Sequence, residues 1–263
     1  MHKLKSFDVI GNIAILNIPK FKTNEKKVAM IWAKKLLRKH KNIRGVFVKT
    51  KIAGRLRVPR LVWIFGNKKT VTVYKENGVL MKVDVATCYF SPRLGTDRLE
   101  IAKNVKKNEN VLVMFSGIAP YGIIIAKHSR AKQVVCVELG KEPSKYAAEN
   151  VKLNKLKNVK IFRGDVKRIL PRLKIKFDRI LMPRAQLKED FLKEAFQVSK
   201  KGTIIHFYDF IEGKNEKEME TNLSDKLIKL TKKLKRKIKI QKIKRVREIA
   251  HHKYHARIDF ERI

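Results

Sequence analysis

The sequence predicts an α/β protein: a doubly wound, mostly parallel sheet preceded by a small α+β module. Three observations lead there. After Lys106, short apolar segments at 111–115, 134–139, 159–162, 177–182 and 203–207 alternate with helical patterns such as 144–153 and 189–198. These segments are apolar almost throughout, as strands covered on both faces must be. The first of them runs into a small-residue turn containing Gly117, where a doubly wound sheet lets a ligand approach its carboxyl edge.

The elements follow in order. Residues 7–18 carry Val9, Ile10, Ile13, Ile15 and Ile18 about Gly11-Asn12, which predicts a strand pair. Residues 25–40 read as a helix with Val28, Ile31, Trp32, Leu36 and Leu37 as its apolar stripe, and 45–48 as a returning strand. The basic stretch 51–60, with Gly54 and Pro59, reads as a linker or an RNA-facing loop. Strands are predicted at 61–65, 71–74 and 81–83, with Gly66-Asn67 and Asn77-Gly78 as turns, then a helix over 93–107. Leu223, Leu227, Leu230 and Leu234 mark one more amphipathic helix near the C-terminus, followed by a strand. The expected units are therefore an α+β module at 1–52, a β-rich region at 53–106 and the doubly wound domain at 107–263.

Composition narrows the function. The 263 residues are 44% hydrophobic, enough for a sizeable core, and no apolar run is long enough to span a membrane. Lys and Arg number 64 against 24 Asp and Glu, a net charge of +40. Composition bias or heat adaptation usually raises Glu together with Lys, so the imbalance points instead to a polyanionic partner, a nucleic acid. The start of the chain has no apolar stretch of the signal-peptide kind, which predicts a cytoplasmic protein. Cys88 and Cys136 have neither metal spacing nor a disulfide framework. Cys136 and Trp32 read as core residues. His251, His252 and His255 have no acid or Cys to complete a metal set and read as solvated or RNA-facing; no metal is expected.

The turn Phe115-Ser116-Gly117-Ile118-Ala119-Pro120-Tyr121-Gly122 lacks a GKS/T phosphate cradle and is not GxGxxG. Glu138 ends the second strand of the domain, where an acid can accept from ribose hydroxyls, and Asp165 ends the third, where it can take an adenine amino group. An uncharged turn with these two acids suits S-adenosylmethionine better than NAD or ATP. With a basic chain, that cofactor suggests RNA modification.

The segment Tyr89-Phe90-Ser91-Pro92-Arg93-Leu94-Gly95-Thr96-Asp97-Arg98, followed by Met114-Phe115-Ser116-Gly117-Ile118-Ala119-Pro120-Tyr121, resembles the archaeal and eukaryotic tRNA (guanine-N1)-methyltransferases acting at tRNA position 37. Glu149 to Asn154, Asp178 to Met182, Ile205 to Tyr208 and Tyr254 to Phe260 extend the resemblance from about Arg57 to the C-terminus. It implies a Rossmann-like class I methyltransferase domain and an N-terminal module reading tRNA shape. It also implies roles. Asp97 would be the general base and Arg57 the donor to guanine O6. Phe115, Gly117, Pro120, Glu138 and Asp165 would hold S-adenosylmethionine, and Tyr89, Arg93, Pro183 and Arg184 would line the target base. The chemistry needs these types, because guanine N1 must lose a proton as the methyl arrives while charge builds on O6. The partner expected is the tRNA anticodon loop, bound by a monomer.

The sequence departs from the family pattern at four places. Asp97 stands where a Glu is expected, one methylene shorter. Val113 replaces an Asp, Ala119 replaces a Gly, and Pro183-Arg184-Ala185 replaces Asn-Leu-Pro. The Pro-Arg pair resembles an archaeal subgroup that also methylates a tricyclic wyosine precursor. Two alternatives remain: the sister family that transfers an aminocarboxypropyl group in wybutosine synthesis, and a non-catalytic RNA-binding protein with a decayed methyltransferase fold.

Overall fold

The computed structural model describes residues 6–18, 25–53, 58–183 and 189–263. The chain opens with a hairpin of β1 (Ser6–Ile10) and β2 (Ile13–Asn17), turning at Gly11, whose φ is +56°. A Cβ there would run into Thr72 Oγ1 and the Val73 carbonyl, so the turn needs glycine twice over. Helix α1 (Lys26–Lys39) crosses to β3 (Gly45–Ala53), which lies parallel to β2, and β4 (Val58–Gly66) adds antiparallel to β3. The sheet order is β1-β2-β3-β4.

Two expectations change here. α1 buries Ala29, Ala33 and Leu36, and leaves Ile31 63% exposed with Trp32 only half-buried. Alanines at i and i+4 let the helix sit close over Leu16, Val46 and Ile64, which turns the larger stripe partly outward. The basic stretch expected as a loop is also mostly strand. β3 runs through Ala53, and β4 starts at Val58 and pairs across the boundary expected at 52/53. Ladder pairing satisfies both backbones.

A second hairpin, β5 (Val71–Glu76) and β6 (Val79–Asp84), turns at Asn77 and Gly78, with φ of +44° and +73° as a type I′ turn requires. A 3-10 turn at Pro92–Leu94 then leads into α2 (Gly95–Asn104). The large sheet is built from β7 (Asn110–Met114), α3 (Pro120–His128), β8 (Gln133–Glu138), α4 (Lys141–Leu153), β9 (Val159–Arg163), α5 (Val166–Ile169), β10 (Phe177–Met182), α6 (Leu192–Val198), β11 (Ser199–Glu212), α7 (Glu216–Lys233), β12 (Ile238–Ala250) and β13 (Lys253–Arg262). Its order is β12-β13-β11-β10-β7-β8-β9. β11, β10, β7, β8 and β9 are parallel, and β13 is antiparallel to both of its neighbours. β13 and the full length of β11 exceed what periodicity suggested, because polar residues interrupt their apolar pattern.

The units share one core. Ile10, Ile13, Ile15 and Phe47 of the first sheet pack in the same cluster as Val79, Met81, Val113 and Ile124. The open edge of β6 is closed by α4. Asn150 exchanges hydrogen bonds with the Lys82 N–H (2.6 Å) and carbonyl (3.0 Å), and Asn154 with those of Leu80 (2.9 and 2.6 Å). Two asparagines at i and i+4 thus stand in for a neighbouring strand.

Buried Arg98 of α2 makes a two-pronged ion pair with Glu76 of β5, through Nε at 2.7 Å and through Nη2. It also donates to the Ser91 carbonyl at 3.2 Å and stacks over Phe90. Glu76→Ala would leave a guanidinium buried without a counter-charge. It is expected to cost about 3–5 kcal/mol in urea denaturation, and a loss below about 1 kcal/mol would show that Ser91 and Phe90 alone hold Arg98.

Candidate active site

The parallel strands bring their carboxyl ends to one edge, and the turn after β7 carries left-handed backbone at three alternating residues: Phe115 (φ +56°), Gly117 (+57°) and Ala119 (+64°). Non-glycine residues there store strain, which persists where the surroundings over-determine it. The surroundings do so. Ser116 N–H donates to the Val137 carbonyl at 3.0 Å and Ala119 N–H to the Ser116 carbonyl at 2.9 Å. Gly117 N–H donates to Glu138 Oε2 at 2.7 Å, while Glu138 Oε1 accepts from Gly140 N–H at 2.7 Å. Burial raises the Glu138 carboxyl from its ordinary range, and backbone N–H donors of Gly140, Gly117 and Leu139 pull against that rise. Pro120 opens α3, where its missing N–H costs nothing. At Gly122 a Cβ would strike Cys136 Sγ, so this glycine, outside the familiar spacing, lets α3 lie against β8.

A nucleoside fits these residues. The Ser116 hydroxyl is buried in the turn with no partner among the described residues. Asp165 caps α5, accepting from Lys167 N–H at 2.9 Å, and stands at a groove of about 520 Å³ walled by Leu139, Gly164 and Ile169. Phe115 meets Phe191 edge-on, with ring centroids 5.0 Å apart.

The residues expected to line the target base divide. The Tyr89 carbonyl lies 3.9 Å from where a Gly117 Cβ would sit, and Tyr89 lines a narrow cleft between the first sheet and the large domain. Arg93 instead faces solvent and pairs with Asp8 of β1 at 2.7 Å, tying the N-terminal sheet to the segment before α2. Pro183 follows β10 at the carboxyl edge, half-buried. Arg57 and Arg184 lie outside the described residues.

Asp97 is placed differently from an open proton acceptor. It is 4% exposed, and its oxygens hold three donors: Tyr121 Oη (2.7 Å) and Tyr208 Oη (2.6 Å) on Oδ2, and Arg257 Nη1 on Oδ1. Burial, reinforced by the Asp97 charge, pushes both phenols well above their ordinary range, so both donate. The shorter side chain is satisfied by these three donors inside the domain.

From Asp97 a buried polar chain continues across β13 and β11. Arg257 donates Nε to Asp259 Oδ1 (2.8 Å) and Nη2 to Glu100 Oε1 (2.8 Å). Asp259 Oδ1 meets His206 Nδ1 at 2.7 Å, and His206 Nε2 meets Arg179 Nη1 at 2.8 Å. Arginine only donates, so His206 Nε2 accepts and its proton sits on Nδ1, facing Asp259. Arg179 in turn pairs with Glu109 at 2.7 and 3.0 Å. Burial would raise the Glu100 carboxyl, but Lys244, Arg257 and Lys242 outweigh it and hold it down to about 2.

Residue periodicity could have found this network. His206 and Tyr208 on β11 stand opposite Asp259 and Arg257 on β13, so polar residues at alternate positions of two central strands mark one buried face. His255 belongs to the same face. It is buried and stacked on Phe210 at 4.8 Å, which corrects the expectation of a solvated histidine. Cys136 is buried as expected, and its thiol is pushed up to about 12.

Residues 72–243 match the TRM5/TYW2 methyltransferase domain, and residues 1–70 match the TYW2 N-terminal domain. The chain belongs to the TRM5/TYW2 methyltransferase family. It is 39% identical over 206 residues to the tRNA (guanine(37)-N(1))-methyltransferase Trm5b of Pyrococcus abyssi, an alignment covering 78% of this chain and 60% of that one. The chain thus spans less than two thirds of that relative's length. It is 33% identical to the tRNA (guanine(37)-N(1))/4-demethylwyosine(37)-methyltransferase Taw22 of Nanoarchaeum equitans, over 97% of this chain and 98% of the relative. Among solved structures, Methanocaldococcus jannaschii Trm5 in complex with adenosine superposes with a TM-score of 0.80 at 30% identity, covering 98% of this chain and 74% of that one. Among the described residues, no helix is long and apolar enough to cross a membrane.

Asp97 and Arg257 should prove energetically coupled. Asp97→Ala and Arg257→Met are each expected to cost about 3–5 kcal/mol in denaturation, because each strands the other's charge. Together they should cost less than the sum, by about 0.5–3 kcal/mol, and strict additivity would refute the pairing.

Burial lowers the pKa of His206, against the pull of Asp259. The unfolded chain therefore takes up a proton near the ordinary histidine value while the folded one resists it. Stability is full above about pH 6.5 and declines below it, at most about 1.4 kcal/mol per pH unit from this group. His206→Gln should flatten the dependence of the urea midpoint between pH 7.5 and 5.5 relative to the parent protein.

Proposed function

We propose that the protein transfers the methyl group of S-adenosylmethionine to N1 of guanine at position 37 of tRNA. The observation that carries the reading is the closeness of the Tyr89 backbone to the Gly117 turn, its carbonyl 3.9 Å from where a Gly117 Cβ would sit. It sets a nucleoside-binding strand edge directly beside an aromatic cleft shared with the N-terminal sheet. When bound, S-adenosylmethionine supplies an electrophilic methyl group. The chain's residues do the rest. Glu138 holds the Gly117 N–H and offers its carboxylate to ribose hydroxyls, and Asp165 with Leu139 and Ile169 makes the adenine end. The Tyr89 segment receives a base turned out of the anticodon loop. Arg57 is the proposed donor to O6 on the strength of its motif. Asp97 is the proposed acceptor of the guanine N1 proton on the strength of its motif, and its bond from Tyr121, one residue after Pro120, fixes the first turn of α3 and with it the loop that presents the methyl group. The net charge of +40 supports a polyanionic substrate bound largely through phosphates.

The resemblance of Taw22 over nearly its whole length, together with Pro183, supports a second substrate at the same position, a tricyclic wyosine precursor. The match of residues 1–70 to the TYW2 N-terminal domain favours one competing reading, aminocarboxypropyl transfer.

One experiment separates these. Purified protein is incubated with a tRNA transcript bearing guanine 37 and with S-adenosylmethionine labelled in either the methyl or the carboxyl carbon. Methyl label should enter the RNA and disappear when position 37 is changed. Entry of carboxyl label would transfer the protein to the aminocarboxypropyl class. Glu138→Ala should weaken S-adenosylmethionine binding at least about tenfold by calorimetry, from the loss of charge-assisted hydrogen bonds.

A further inference from the structure

The cleft that Tyr89 lines contains a cation that none of the assigned roles uses. Arg247 lies near the C-terminal end of β12, the edge strand of the large sheet. β12 runs antiparallel to β13 and β13 antiparallel to β11, so the end of β12 reaches the same edge as the carboxyl ends of the parallel strands. The β12–β13 ladder slips between Arg245, opposite Ala256, and Arg247, opposite His255. Such a bulge puts two residues against one and re-aims a side chain, a device common beside active sites. Here Val246 packs into the shared core, and Arg247 turns into the wall of the cleft, whose lining also includes Tyr89, Pro92, Asp8 and Lys49.

The Nε–H of Arg247 is buried and finds no acceptor among the described residues. An unsatisfied buried guanidinium N–H is costly, and guanidinium is never relieved by losing its proton. The nearby carboxylate does not serve it, because Asp8 Oδ1 accepts from Arg93 Nε. The cleft therefore combines an aromatic side chain, a second cation in Lys49 and an arginine donor for which the described residues supply no oxygen. These are the features by which proteins take hold of an unstacked nucleotide.

We infer that Arg247 is a recognition residue for the target nucleotide, donating to an oxygen acceptor of that nucleotide, either the purine carbonyl or its phosphate. This rests on the reading of the protein as an RNA-modifying enzyme.

The test uses the full chain, the guanine-37 transcript and the variants Arg247→Gln and Arg247→Lys. Arg245→Gln, an exposed neighbour 3.8 Å from Glu216, controls for general loss of charge. Melting and S-adenosylmethionine calorimetry on each variant check the fold and the cofactor site. If the acceptor is the base carbonyl, Arg247→Gln lowers the single-turnover rate at saturating RNA at least about tenfold with RNA affinity within about twofold, and lysine does not restore it, since it lacks the planar fork. If the acceptor is the phosphate, RNA affinity falls several-fold and the slope of log affinity against log salt drops by about 0.7–0.9, with partial recovery in the lysine variant. Either pattern supports the assignment and names the oxygen. Arg247→Gln behaving like Arg245→Gln in rate, affinity and salt slope overturns it. Absence of transfer by the parent protein, with RNA still bound, would instead count against the enzymatic reading, and the salt slope of Arg247→Gln would still report on the contact.

Discussion

The carboxylate of Asp97 is where the structure is tied together. It sits on α2, yet its three donors come from α3, β11 and β13, so one buried charge joins the segment leading in from the N-terminal half to α3 and to one face of the large sheet. Its main partner, Arg257, is wholly buried and shared with Glu100 and Asp259, so the charge is compensated on every side. Arrangements of this kind add little net stability over an apolar core of the same shape. They are costly to break and so favour one packing.

That constraint carries over to the candidate site. Tyr121 stands directly after the left-handed turn 115–119, and holding its hydroxyl in place limits how that turn can relax. On the other side the turn is held by Glu138, which accepts from Gly117 and Gly140 together. The candidate ligand edge is thus braced by a carboxylate on each side, one buried under α2 and one at the end of β8. Preorganised polar groups act best in a site whose supports do not move.

The cleft beside it depends on a different balance. The N-terminal sheet shares its apolar face with the β5–β6 hairpin, which places Asp8, Lys49 and the Tyr89 segment around one space. The Arg93–Asp8 pair closes that contact at the surface, where an ion pair does more to set geometry than to add stability. Two parts of the chain far apart in sequence thus form one surface.

Local pattern alone determined much of this molecule. The alternation of apolar strands and helices after Lys106 specified the doubly wound sheet, the Asn77-Gly78 pair specified a hairpin, and Gly117, Glu138 and Asp165 marked its candidate site at the carboxyl edge, because each signal is carried by neighbours in the chain. The sequence motif around Tyr89 likewise pointed to the family. What tertiary structure decided was everything that depends on pairing across distance. It turned α1 onto its alanines, carried β4 into the first sheet, moved Arg93 onto Asp8, drew Asp97 inward to Arg257, buried His255 under Phe210 and aimed Arg247 into the cleft. A charged residue in a strand carries no label saying whether it will meet solvent or a counter-charge. That is decided only when the register of β11, β12 and β13 sets which side chains stand opposite one another.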